Sequence, residues 1–362
     1  MTIIEPQIVY HYCSVDTFIK IIESKELWFA NALTTNDSKE IIQSKKVIYE
    51  MLDMARDSIR REPEKNHEML RRTTFDQSYD GYMTLEKLKD FYSSCNLSME
   101  TLNQHYRERF ESIRNAGESE FITVEALQKY LTDQVEKIIN SFEDIYYSSI
   151  LGNGYPHICC FSYEGDLLSQ WRAYADDGKG VAIGFDSSQL ETAITNRYRF
   201  SEASRVRYNN KEHHNLFWGP FNELMLFLTT DFPRQSSDGD QVHRDIFRTI
   251  LSFSCFIKTE GFQEEKEWRM VLFSCPAHHK IVGGSADDDR PKMKYRYNGL
   301  DICSYFSVPF EPPDAQSHAI TEIIMGPNCT ITSLSTMNLM RNYNGSFTLG
   351  QIKYSNTSYR TK

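Results

Sequence analysis

Hydrophobic and polar positions switch period several times along the N-terminal segment. Residues 8–12 read as a short strand, and Ser14 stands as an N-cap before Val15, Phe18, Ile19 and Ile22 at helical spacing. A strand resumes at 27–30, and Asn36-Asp37 marks a turn or the cap of the next helix. From 38 to about 150 glycine and proline thin out and charged helix formers dominate, which predicts a helical region. Beyond 152 the pattern turns strand-rich. Residues 158–162 read as an apolar strand, and 166–176 as a helix with Leu167, Leu168, Trp171, Tyr174 and Ala175 on one face. A strand at 180–185 follows the Gly178-Lys179-Gly180 turn, with further strands at 206–208, 267–273, 320–326 and 351–354. Helices are expected at 217–228 and 242–259, and a charged surface loop at 287–291. The predicted organisation is a first part of an α+β domain at 1–40, a helical insertion at 41–150 and the remainder of that domain at 151–362.

Within the helical region, residues 75–88 resemble an EF-hand loop and the start of its exit helix. Asp76, Ser78 and Asp80 fall at loop positions one, three and five, Gly81 at the sharp turn and Met83 at the apolar eighth position. A weaker copy at 115–126 places Ile122 at the same eighth position. Both copies lack the bidentate carboxylate at position twelve, where Lys87 and Ala126 stand, and Glu86 and Glu125 come one residue early. Lys87 would also set a positive charge beside an ion. Calcium is therefore not expected at Asp76, Ser78 and Asp80, and no metal site is predicted. A structural or partner-binding helical pair is the favoured reading.

Composition narrows the classes further. The chain has 362 residues, 40% hydrophobic and 25% charged, enough for a real core in one large or two ordinary domains. No apolar run approaches the roughly 20 residues that span a bilayer, and residues 1–6 lack the basic and apolar regions of a secretory leader. A net charge of -10 argues against a protein that coats duplex nucleic acid, without excluding a local basic groove. The eight cysteines are scattered with no C-x-x-C pair, so buried free thiols in a reducing cytoplasm are expected. Cys159 and Cys160 point to opposite faces of their strand.

The densest chemistry is Glu265-Lys266-Glu267-Trp268-Arg269. On a continuous strand Glu265, Glu267 and Arg269 share one face, with the two carboxylates about 7 Å apart. Such a pair suits acid–base work or stabilisation of a cationic sugar, whereas a solvated edge strand would carry the same alternation. Trp171 and Tyr174, one helical turn apart, could form a wall for a planar ligand or pack into the core. Tyr10-His11-Tyr12 opens the first strand with His11 facing opposite to its neighbours. The pairs His213-His214 and His278-His279 lack the spacing that puts two ligands on one helix face. Glu264-x-Lys266 with Asp37 is a thin echo of a metal-dependent nuclease. No glycine-rich phosphate loop or nucleophile elbow is present.

Taken in order, Tyr10-His11-Tyr12, Leu27-Trp28, Asn36-Asp37, Cys160-Phe161-Ser162, Trp171-x-x-Tyr174-Ala175-Asp176, 180–185, Val206-x-Tyr208, Lys258, 265–269, Ile324-x-Gly326 and 355–360 resemble a family of microbial cytoplasmic proteins of unknown function. That resemblance covers 8–37 and 155–360 and makes the helical region an insertion. The order of strand with His, helix and strand is also similar to the opening of ADP-ribosyltransferase folds. This second resemblance implies a bent or split β-sheet with flanking helices. It implies that His11 holds a ribose of NAD, that Ser162 or Tyr174 fills the middle position, and that Glu267 is the catalytic carboxylate with Glu265 beside it. Tyr10, Tyr12, Asn36, Trp171, Arg172, Lys258 and Arg269 would then surround the substrate.

The expectation is an NAD-consuming enzyme, an ADP-ribosyltransferase or NAD glycohydrolase, acting on a small nucleotide in the cytoplasm, with NAD as substrate. A role in defence or toxin systems is an association of such families. The alternative is a non-catalytic sensor or adaptor that binds its partner through the helical insertion. Convergence of His11, Ser162, Trp171, Tyr174 and Glu267 on one cleft would separate the two.

Overall fold

A computed structural model describes residues 7–32, 39–61, 156–198, 201–217, 253–273, 293–297, 302–312 and 318–359, with scattered positions between 129 and 140. The chain forms two compact units. One takes Met1–Ile41, Asn153–Asn209 and Cys255–Lys362, the other Ile42–Gly152 and Asn210–Ser254. The stretch 210–254, which the sequence reading keeps with the α+β domain, groups with the helical region instead. The EF-hand-like residues Asp76, Ser78, Asp80 and Lys87 lie outside the described residues, as does Asn36.

The first unit mixes α and β elements around one large sheet. In chain order its strands are β1 Ile8–Cys13, β2 Glu26–Asn31, β3 Pro156–Ser162, β4 Val181–Asp186, β5 Ser201–Arg205, β6 Glu267–Phe273, β7 Met293–Tyr297, β8 Ile302–Pro309, β9 Ile320–Met325 and β10 Ile352–Tyr354. The helices are α1 Val15–Ser24, α2 Lys39–Arg61, α3 Leu168–Tyr174, α4 Ser187–Thr195 and α5 Ser333–Tyr343. Most of α2 belongs to the second unit. There Val47, Ile48, Met51, Leu52 and Ile59 are buried at helical spacing, and Glu50 meets His214 Nε2 at 3.0 Å.

Local chemistry explains the element ends. Ser14 accepts from the Thr17 amide at 3.2 Å and starts α1, and Lys25 stops it in the left-handed region with φ 56. Asp186 caps α4 through the amides of Ser188 and Gln189, and Thr332 caps α5 through that of Ser335. The 166–176 pattern shortens to α3, and the strand expected at 206–208 forms upstream as β5. Arg207 keeps a single parallel bridge to Ile257.

Strand β3 is the junction of the sheet. One of its edges pairs with β6 over its whole length, from Pro156 opposite Phe273 to Ser162 opposite Glu267. Its other edge is shared: Ser162 pairs with Tyr10 of β1, while Ile158 and His157 pair with Ala30 and Asn31 of β2. One arm continues β1-β4-β9-β10 and the other β2-β8-β7. Only β9 and β10 run parallel among these strand pairs.

Alternation along each strand sorts side chains onto two faces. Val9, Cys13, Cys159, Phe161, Trp268, Met270, Ile183 and Phe185 join the main core, covered by Phe18, Ile21 and Ile22 of α1, Leu190 and Ile194 of α4, and Met337 and Met340 of α5. On the opposite face Trp171 of α3 packs with Tyr12, Ala182 and Ile324. The six described cysteines are free thiols, and Cys159 and Cys160 occupy opposite faces. No helix among the described residues is long and apolar enough to cross a membrane.

Candidate functional site

The polar face of β6 carries a buried charge cluster beside β3. Glu267 and Arg269, two residues apart, project from the same strand face, opposite Ser162 and Cys160 of β3. The Arg269 guanidinium forks onto Glu267, with Nε donating to Oε1 at 2.8 Å and Nη2 to Oε2 at 3.0 Å, while Nη1 donates to the Cys255 carbonyl at 2.7 Å. Both residues are almost fully buried.

Glu265 reaches this cluster by a route that strand alternation does not predict. Residues Glu260–Glu265 form a 3-10 turn, and Lys266 takes a left-handed conformation with φ 45 before β6 begins. The carboxylate therefore does not extend the β6 face but folds back onto Lys258. Lys258 Nζ lies 2.7 Å from Glu265 Oε2 and 3.0 Å from Glu267 Oε2, so one buried ammonium serves both acids. Ser162 pins the turn, its hydroxyl donating to the Glu265 carbonyl at 2.8 Å and accepting from the Glu164 amide at 3.1 Å. Tyr208 closes the other side by accepting the Glu267 amide at 2.7 Å. The Lys258 amide donates to the Arg207 carbonyl at 2.9 Å, which sets the lysine beside the end of β5.

The two carboxylates differ in acidity. Burial pushes the Glu267 carboxyl up, but Arg269 and Lys258, with hydrogen bonds from Arg269 and the Cys160 thiol, outweigh it and hold the group at about 2. Burial raises Glu265 above its ordinary value, and Lys258 only partly offsets that. Cys160 is pushed well up by burial and then by the Glu267 charge, so it stays a thiol donor. Tyr174 of α3 is 42% exposed at the rim, and burial followed by the Glu265 charge pushes its phenol up to about 12.

Glu267 ties stability to acid. Its folded value lies below the ordinary 4.5, so its contribution is complete above about pH 5 and is lost as pH falls towards 2. The shift corresponds to about 3 kcal/mol. Glu265 is shifted the other way and partly offsets this at neutral pH. Urea unfolding from pH 7 to 2.5 is expected to show the wild-type advantage over Glu267→Gln shrinking through that window. A constant difference would contradict the assignment.

Other expected site residues are placed elsewhere. His11 shares the main-core face with Val9 and Cys13, on the opposite side of the sheet from Glu267. Its Nδ1 is 3.0 Å from the Cys160 carbonyl, where the β1 and β2 arms diverge. A carbonyl only accepts, so Nδ1 carries the proton, and desolvation lowers the ring's proton affinity. Trp171 is fully buried, edge-on to Tyr12 at 4.7 Å, and its Nε1 donates to Asp166 at 2.7 Å, so it is not part of an exposed wall with Tyr174. Tyr10 donates to Glu322 at 2.9 Å, and Tyr12 to the Glu164 carbonyl at 2.8 Å. Arg172 is exposed near Asp177. The structure thus gathers Lys258, Glu265, Glu267, Arg269, Ser162 and Tyr174. Sequence reasoning missed Cys160, Tyr208 and the Cys255 carbonyl as members. The Val206-x-Tyr208 motif is the one signal that pointed towards Tyr208.

A family match falls on this cluster. Residues 170–270 match DUF2971, a protein family of unknown function. The DUF2971 segment runs from α3 to β6 and contains Tyr174, Tyr208, Lys258, Glu265, Glu267 and Arg269. It is shorter than the 8–37 and 155–360 span traced by the sequence motifs, and it leaves out His11, Cys160 and Ser162. No curated protein and no solved structure matches the chain.

Proposed function

We propose that this protein cleaves the ribosyl–nicotinamide bond of NAD, with Glu265 as the reacting carboxylate and Glu267 as its electrostatic anchor. The observation that carries this reading is one buried lysine shared by two carboxylates whose acidities are driven apart. Carboxylate pairs separated in this way divide acid–base roles between them. Breaking the bond sends its electron pair to the nicotinamide ring and leaves a cationic ribose, which a nearby carboxylate stabilises as charge develops. Water or another acceptor then attacks the same carbon and gives its proton to Glu265. Glu267, forked onto Arg269 and bonded by Lys258, holds the cations in place. Tyr174 offers a half-exposed ring within electrostatic reach of the pair. Since His11 lies across the sheet, the ribose-holding role that the resemblance implies for it finds no support in this geometry.

A second reading rests on a different feature of the same cluster. Two cations and two carboxylates satisfy one another, as they would in a structural clasp of a non-catalytic adaptor. Nicotinamide release from NAD separates the two. The enzyme reading expects release by the purified protein, reduced about 10²- to 10³-fold in Glu265→Gln with KM little changed. No release, together with no NAD binding at millimolar concentration by calorimetry, would overturn it and favour the adaptor.

A further inference from the structure

The C-terminal residues make directional contacts to both ends of α3. After β10, the Ser355 amide donates to the Met325 carbonyl at 2.8 Å, and the chain then meets Asp166 just before the helix. Asp166 accepts from the Ser355 hydroxyl, from the Asn356 amide at 2.7 Å and from the Thr357 hydroxyl at 3.0 Å, besides Trp171 Nε1. Past the other end of α3, the Tyr359 hydroxyl donates to Asp177 at 2.8 Å, and the Arg172 guanidinium lies 5.8 Å from the Tyr359 ring centre.

Helix α3 needs such support. It has seven residues, and its N-cap Leu167 offers no side-chain bond. A helix this short is not stable on its own hydrogen bonds. Trp171 anchors its inner face, while Tyr174 at its last position stays half-exposed, within electrostatic reach of Glu265 and Lys258. Ser355, Thr357 and Tyr359 are only half-buried, so the tail supplies bond direction more than apolar burial.

We propose that the C-terminal tail is a clasp that sets the position of α3, with Asp166 as the positioning residue through which it holds Tyr174 beside Glu265 and Lys258. The relevance to catalysis rests on the function proposed above, whereas the clasp itself does not.

The test uses Asp166→Asn and the tail double variant Ser355→Ala/Thr357→Val, each in the 362-residue chain. Residue-resolved amide exchange should show α3 exchanging at least tenfold faster in both, with β1 and β4 unchanged. A purely local tail contact would leave Tyr174 untouched, so its ring titration is followed by NMR, assigned with Tyr174→Phe. That titration should move down from about 12 as the ring loses burial and its closeness to Glu265. Should Asp166→Asn fold poorly, the tail double variant alone decides. Faster exchange confined to residues 355–357, with α3 and the Tyr174 titration unchanged, would overturn the clasp. Neither readout depends on NAD turnover, so failure of the clasp and failure of the enzymatic reading remain distinguishable.

Discussion

Replacing Arg269 with alanine is expected to destabilise the sheet-containing unit by about 3–5 kcal/mol, the usual cost of removing one partner from a buried ion pair. The guanidinium is 2% exposed and places three of its nitrogens on defined acceptors, two on Glu267 and one on the Cys255 carbonyl. Its loss leaves Lys258 to balance two carboxylates in a site from which water is largely excluded. It also empties a large volume beside Cys160. Arg269→Lys keeps the charge but not the planar fork, and should fall between wild type and alanine. The double variant Arg269→Met/Glu267→Met removes both charges with similar volume and should be less destabilised than Arg269→Ala. Urea unfolding at pH 7 measures all three. A loss below about 1 kcal/mol for Arg269→Ala would mean that the pair is solvated, contrary to its burial.

Gly180→Ala is expected to cost at least about 3 kcal/mol, at the upper end for overpacking. A Cβ at this position would lie 2.0 Å from the Cys13 carbonyl oxygen and 3.1 Å from that of Ala175. Both obstacles are backbone. The Cys13 oxygen belongs to the end of β1 paired with Val181 of β4, and the Ala175 oxygen accepts the Gly180 amide at 2.8 Å. Neither can retreat without separating β1 from β4 or opening the turn after α3. Gly261→Ala and Gly345→Ala provide the control, because a Cβ at either meets nothing within 4 Å. Both should remain within about 0.5 kcal/mol of wild type. Equal effects at all three glycines would show that backbone entropy, not the close approach, sets the cost.

Local periodicity made part of this fold legible. The Ser14 cap and the spacing of Phe18 and Ile22 announce α1, and the predicted strand at 267–273 coincides with β6. Alternation also separated His11 from Tyr10 and Tyr12, and Cys159 from Cys160. Helix α4 was missed although Asp186 caps it, because its nine residues carry a weak apolar pattern. Strand β7 escaped for a related reason. Every residue of β7 is exposed, so no buried face marks it in the sequence.

The candidate site divides along the same line. Residue type and short-range sterics place Glu267 and Arg269 on one strand face, and that much follows from two-residue spacing. The left-handed turn at Lys266 breaks the extrapolation to Glu265, which reaches Glu267 only through Lys258. Helical spacing makes Trp171 and Tyr174 neighbours, but only packing against Tyr12 decides which ring is buried. Tyr208 is 59 residues from Glu267, a contact that no local pattern encodes. Proton affinity is the most remote property of all. It depends on how deeply a group is buried and which charges reach it from other segments, so two glutamates alike in sequence become unlike only in the folded chain.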